Sequence, residues 1–164
     1  MSPLPHLAPL DAQDAALATE LHALLQQAYT QEALLLGVDP AQFPPLQHPV
    51  HALQTGGEDW IGAWEESRLV GAVSLHADAD DEAVGCIGAL GVLPCEQRRG
   101  VATLLLHAAL SRQGLGRPVS VRLAHANAPA LALFAQAGFK EWQRWSEPLG
   151  GQRQRFVKLL RRPG

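Results

Sequence analysis

The stretch LGVLPCEQRRGVATLLL, Leu90–Leu106, begins as a strand and ends as a helix, and it limits the folds open to this chain more than any other segment. Its apolar lead-in reaches back to Ala83, so that AVGCIGALGV reads as a strand buried on both faces. Past the turn, Val101, Leu104, Leu105 and Ala108 recur at helical spacing, and Gly114 is a suitable C-terminal glycine. Between the two halves stand Pro94, the pair Arg98 and Arg99, and Gly100. The N–H groups of a helix's first turn have no intrahelical partner, and with the helix dipole they suit a phosphate or another anion. Gly100 has no Cβ to keep ligand oxygens from the main chain, Ala102 is small, and two arginines can add charge-assisted contacts. The plainer reading, a glycine that serves only a tight turn, carries equal weight at this level.

The remaining segments complete an α/β pattern. Asp11 and Asp14 offer an N-cap for a helix whose apolar positions Leu17, Leu21, Leu24, Leu25 and Ala28 carry it to about Tyr29. Gly37 to Trp60 is rich in proline and glycine and reads as a long loop, with a short helix over HPVHALQ; it is a substrate-facing segment or a tolerated insertion. WIGAW and LVGAVSL alternate about a polar turn as an antiparallel hairpin, RPVSVRLAHA is a further strand, and NAPALALFAQAG is a short helix capped by Asn127 and stopped by Gly138. FKEWQRW and RQRFVKLL pair across LGGQ as a last hairpin, whose outer edge is open to a second copy in a homodimer. With no internal repeat and no linker, residues 1–164 are expected to form a single domain of mixed α/β class.

A hydrophobic fraction of 47%, a charged fraction of 18% and a formal net charge of -3 describe a packed globular chain with no basic face for nucleic acid. No apolar run is long enough for a membrane span, and MSPLPHLAPLDAQ has neither a basic n-region nor an apolar h-region, so a cytoplasmic setting without membrane partners is expected. Cys86 and Cys95 are too few for a disulfide framework, lack metal-ligand spacing and read as reduced thiols. No metal site is expected.

Neither G-x-x-x-x-G-K-[ST] nor a strand-borne G-x-G-x-x-G is present, which disfavours nucleoside triphosphatases and dinucleotide dehydrogenases. The opening stretch instead resembles the acetyl-coenzyme A motif of the GNAT superfamily of N-acetyltransferases: a strand ending in V-x-P, then [QR]-x-x-G-x-[GA]. Val92, Pro94, Gln97, Gly100 and Ala102 fill those positions. NAPALALFAQAGF, Asn127 to Phe139, resembles the superfamily's second segment, N-x-x-A-x-x-[LF]-Y-x-x-x-G-F, through Asn127, Ala130, Leu133, Gly138 and Phe139.

The resemblance implies a mixed, mostly antiparallel central sheet with a splayed middle strand and flanking helices. It also implies an acyltransferase that moves an acetyl group from acetyl-CoA, a co-substrate, to a primary amine of a small molecule or peptide by direct attack. Leu90, Gly91 and Val92 would pair with the pantetheine arm as if it were a strand. Arg98, Arg99, Gly100, Val101, Ala102 and Thr103 would cradle the pyrophosphate, and Asn127 would reach the coenzyme, although it serves equally well as a plain N-cap. A backbone N–H near Val92 would stabilise the oxyanion. Where the superfamily has its tyrosine acid this chain has Phe134, so another group donates the proton, the thiolate leaves unaided, or the chain binds coenzyme A without catalysis. His125 and His76 are the candidate bases, each with a structural alternative; His48 and His51 are substrate contacts or surface groups.

Overall fold

A computed structural model describes residues 4–96, 100–114 and 116–163. Its elements in chain order are β1 (His6–Leu10), α1 (Ala15–Leu36), α2 (Val50–Thr55), β2 (Asp59–Glu65), β3 (Arg68–Ala77), β4 (Gly85–Val92), α3 (Val101–Gln113), β5 (Val119–Ala124), α4 (Ala128–Gln136), β6 (Lys140–Leu149) and β7 (Gln152–Arg161). Seven strands form one sheet in the order β1-β2-β3-β4-β5-β7-β6. Every neighbouring pair is antiparallel except β4 and β5. This is the mixed, mostly antiparallel α/β sheet that the resemblance implies.

β4 and β5 stay together only from Gly85 opposite Val119 to Ile87 opposite Val121. Beyond that point β5 is held by β7 as far as Ala124 opposite Phe156, while β4 runs on to Val92 with β3 on one side alone. A two-for-one irregularity between Val73 and Leu75 sets Gly88 and Ala89 against Ser74, whose hydroxyl accepts the Ala89 N–H at 2.9 Å. Such a bulge bends a strand and turns it out of plane. The middle of the sheet is therefore splayed.

Side-chain alternation sends successive residues to opposite faces. On one face α3 sits on β3 closely enough that a Cβ at Gly71 would meet Leu105 Cδ1 at 2.9 Å and Val101 Cγ1 at 3.2 Å. On the other, α1 approaches β4 where Gly91 has no side chain: a Cβ there would meet Ala28 Cβ at 3.2 Å. Leu21, Leu24, Val70, Val73, Leu105 and Val119 are among the fully buried residues of the core this creates.

Three local features differ from the expectation. β1 was not anticipated; its Pro9 pairs with Ile61 at the sheet's edge, where a missing N–H costs no ladder bond. α1 runs past Tyr29 to Leu36 and ends on Gly37 in the left-handed conformation (φ 72°), because Ala33 and Leu36 bury against Val38, Phe43 and Ala124 after the polar interruption Thr30–Glu32. The long loop is more ordered than a loop, with two short 3₁₀ turns, Pro40–Gln42 and Pro44–Gln47, before α2.

A buried ionic network crosses the sheet where β4 and β5 are still paired. Lys158 of β7 lies 3.0 Å from Asp78, which follows β3, and Ser120 of β5 donates its hydroxyl to the same carboxylate. Asp80 adds a second, exposed carboxylate 3.3 Å from Lys158. Burial alone would push the Asp78 carboxyl up, but the bonds from Ser120, the Asp80 backbone and Lys158 outweigh it and hold the group down at about 2. A carboxyl lowered in the folded state contributes stability above its ordinary value of 3.8 that is lost as the pH falls toward about 2. Thermal melts should therefore be insensitive to this pair above pH 4 and fall steeply below it. At neutral pH Asp78→Asn should cost about 3 kcal/mol, because Lys158 keeps only its exposed partner, whereas adding Lys158→Met should recover much of that loss.

Candidate functional site

The site lies where β4 parts from β5, and its polar side chains come from the strands beside the bulge. Glu58 precedes β2 and His76 is near the end of β3, one register step beyond the pair Asp59 and Leu75. His76 Nε2 and Glu58 Oε1 are 3.6 Å apart, and both side chains are about one-third exposed. His76 Nδ1 lies 2.7 Å from the carbonyl of Ala77. A carbonyl only accepts, so Nδ1 carries the hydrogen and Nε2 is the nitrogen that faces the carboxylate.

Gly88 of β4 completes this corner. A Cβ there would come within 2.6 Å of Glu58 Oε1, 2.7 Å of Ser74 Oγ and 2.9 Å of His76 Cδ2. The bulge thus brings a side-chain-free stretch of strand under the carboxylate.

From this corner a cleft of about 240 Å³ opens on the α1 face. Leu25, Tyr29, Leu53 and Trp60 supply much of its apolar wall, and Pro45, Pro49 and Ala52 close it from the loop and α2. The loop is fastened to α1 by polar bonds: His22 Nε2 donates to the His48 carbonyl at 2.9 Å, and the Gln26 amide donates to the Leu46 carbonyl at 3.2 Å. Tyr29 packs edge-on to Phe43 at 6.4 Å between ring centroids. Its hydroxyl pKa is pushed up to about 12, first by burial and then by the negative charges of Glu32 and Glu58. Burial also raises the Glu32 carboxyl. Among the described residues no lysine or arginine lines this cleft.

Beyond the bulge, Leu90, Gly91 and Val92 form the strand edge that β5 has left. Pro94–Glu96 then make a 3₁₀ turn, tied to β3 by the 2.7 Å pair of Arg68 and Glu96. Arg98 and Arg99 lie outside the described residues, as does Gln97. Gly100 is left-handed (φ 78°), caps α3 without a side-chain bond, and has nothing within 4 Å of where a Cβ would stand. The conformation explains the glycine, and the space above it is open. α1 and α4, by contrast, are capped by Asp14 and Asn127 through side-chain oxygens. Val101 is buried beneath the turn, and Thr103 borders a groove of about 190 Å³ between α3 and α4, with Leu106, His107, Leu133 and Gln136.

Leu90, Gly91 and Val92 thus lie on β4 past the bulge beside Glu58, and Val101, Ala102 and Thr103 form the first turn of α3 after Gly100. Asn127 spends its Oδ1 on the Ala130 N–H at 3.3 Å, leaving its amide NH₂ as the part able to donate elsewhere. His76 belongs to the corner. His125 does not: it is exposed after β5, its backbone N–H bound to Arg155, and the charge it faces is Glu141 of β6. His48 meets the cleft, and its carbonyl receives His22; His51 is outside the lining. Phe134 is 2% exposed and lies edge-on to Phe139 in the core, away from the cleft. Glu58 and Tyr29 went unmarked in the sequence, because a lone acid before a strand and a tyrosine on a helix give no local signal; only the fold brings them to the bulge.

Comparison with known proteins agrees with the fold. YqkA of Bacillus subtilis (strain 168) is 29% identical over 132 residues, a match that spans 80% of this chain and only 37% of that protein. A GNAT-family acetyltransferase from Streptococcus pneumoniae superposes with a TM-score of 0.71 at 17% identity, over 97% of this chain and 99% of that one. The ribosomal-protein-S18-alanine N-acetyltransferase of Escherichia coli does so with a TM-score of 0.70 at 14% identity, over 98% and 95%. No helix among the described residues is long and apolar enough to cross a membrane. The model of the acetyltransferase (GNAT) family matches residues 18–139, and the chain belongs to that family.

Proposed function

We propose that residues 1–164 act as a single N-acetyltransferase domain that uses acetyl-CoA and transfers the acetyl group to a primary amine, with Glu58 as general base. The observation that carries this reading is the unpaired edge of β4 from Gly88, beside Glu58, to Val92, together with the left-handed Gly100 that opens α3 without a side-chain cap. The residues fit the coenzyme. Leu90–Val92 offer main-chain groups to the pantetheine arm as an added strand. Gly100, Val101, Ala102 and Thr103, with Arg98 and Arg99, would hold the pyrophosphate at the helix N-terminus. The Asn127 amide would donate from α4. When bound, acetyl-CoA supplies the thioester carbonyl that the amine attacks.

The chain's own groups manage the proton. An amine arrives as an ammonium and must lose a proton before it can attack. Glu58, at the bulge and facing the cleft, takes that proton. His76 Nε2 receives it from Glu58 and, one-third exposed, returns it to solvent. Tyr29 is a poor proton donor to a thiolate, because burial and then the charges of Glu32 and Glu58 push its hydroxyl up to about 12, above a thiol. Tyr29 lines the cleft, where its hydroxyl would offer a hydrogen bond to the acceptor. With Phe134 in the core, the thiolate leaves without an acid, as a good leaving group can.

A second reading, a coenzyme A binding module without transfer activity, is favoured by the absence of a hydroxyl at Phe134. Release of free thiol sustained by an amine decides against it.

Three substitutions test the assignment. Gly100→Asp, a residue that enters the left-handed region more readily than most, should cost about 1 kcal/mol of stability, still fold, and weaken acetyl-CoA binding at least tenfold in calorimetry; unchanged affinity would remove the pyrophosphate from this turn. Glu58→Gln should lower kcat by about 10²- to 10⁴-fold with acetyl-CoA affinity intact. Gly88→Ala should displace Glu58 and cost about 10²-fold in kcat, again without loss of acetyl-CoA affinity.

A further inference from the structure

The cleft beside Glu58 also carries information about what enters it. At about 240 Å³ it falls below the range of roughly 300–1,000 Å³ usual for drug-sized ligands, so a peptide or an aminoglycoside would leave most of itself outside. Its wall is mixed: apolar Leu53, Trp60 and Pro49 stand beside polar His22, Gln26 and Glu58.

The charge in and around it has one sign. Glu58 is in the wall, and Glu32 stands near enough to act with it on the buried Tyr29 hydroxyl. No described lining residue is a lysine or arginine, and the ring nitrogen His22 turns toward the loop is already committed to the His48 carbonyl. An ammonium is matched here. A carboxylate on the adjacent carbon would lie beside Glu58 with no lysine or arginine in the described lining, and His76, once protonated, already faces Glu58; an unpaired like charge is how a site rejects a close analogue. A second ammonium along the chain would find no second carboxylate, because Glu58 is the one acid in the described lining.

Resting on the acetyltransferase reading above, we propose that the acceptor is a small primary monoamine with an apolar body the size of one aromatic ring and no carboxylate. The polar end meets Glu58 beside the bulge, and the body lies against Trp60 and Leu53.

The test pairs binding with turnover. Calorimetry with acetyl-CoA is done first; absence of binding would overturn the acetyltransferase reading and this inference with it. With acetyl-CoA bound, thiol release is measured for 2-phenylethylamine, phenylalanine, phenylalaninamide, spermidine and a short peptide with a free N-terminus. Binding of 2-phenylethylamine in the presence of coenzyme A is followed independently by tryptophan fluorescence, with Trp60→Phe to identify the reporting ring. The expected result is a kcat/KM for 2-phenylethylamine at least tenfold above phenylalanine, spermidine and the peptide, with phenylalaninamide recovering part of the loss seen for phenylalanine. Ala52→Trp, which narrows the cleft, should raise the KM for 2-phenylethylamine at least tenfold and leave acetyl-CoA affinity unchanged. If acetyl-CoA binds but phenylalanine, spermidine or the peptide is acetylated as well as 2-phenylethylamine, the acceptor class is wrong. It is equally wrong if no amine is acetylated, or if Ala52→Trp leaves the KM where it was.

Discussion

β4 and β5 keep company for three residue pairs and then part, and the rest of the molecule is arranged around that parting. A strand that ended there would leave no site. β4 instead continues five residues to Val92, supported by β3 on one side, with its other edge open. Both layers of helix contribute to holding it so. On one face Leu24, Leu25 and Ala28 of α1 close on Gly91; on the other, Val101 and Leu105 of α3 close on Gly71 of the neighbouring strand. Either glycine replaced by a larger residue would push a helix away from the strand it steadies. β5 is meanwhile drawn off by β7 over six residues, a longer pairing than the one it abandons.

The network of Asp78, Ser120 and Lys158 explains why the parting occurs where it does. Ser120 pairs in register with Cys86 inside the short parallel segment, and its hydroxyl reaches the carboxylate that follows β3. Lys158 brings β7 to the same point. Three strands are thus fastened together on the closed side of the splay, and Gly85 adds a backbone bond to the Pro118 carbonyl. A buried ion pair gains little net stability over apolar residues of the same volume, but a broken one is costly. Its effect here is positional: register is hard to slip at the vertex, while the strand ends beyond it remain apart.

How much of this could be read beforehand follows from how far apart in the chain the cooperating residues are. The Leu90–Leu106 turn was legible because strand, proline, glycine and helix start are contiguous, and a left-handed Gly100 is a local demand. The hairpins, α3 and α4 were legible for the same reason, through caps and alternation. β1 was not, since a five-residue strand containing proline has almost no pattern of its own and exists because β2 offers an edge. The last turns of α1 were hidden by Thr30–Glu32, which break the apolar stripe; what carries the helix across them is Phe43, packed from a loop that looked unstructured.

The two halves of the site differ in the same way. In the proposed reading the coenzyme half would be recognised through main-chain groups of one contiguous stretch of sequence, where side chains need only be small or absent, and glycine and alanine in fixed order betray it. The cleft proposed for the acceptor is built from residues of α1, the loop, α2, β2 and the bulge of β4, from His22 to Ala89. None of these marks itself out locally, and Glu58 acquires a meaning only when Gly88 passes beneath it. Phe134 shows the converse: it fits a motif by position, yet its surroundings are core, and a motif letter could not say which way the ring would face. Chemistry that depends on backbone can be read along a chain, whereas chemistry that depends on side chains meeting across a sheet waits for the fold.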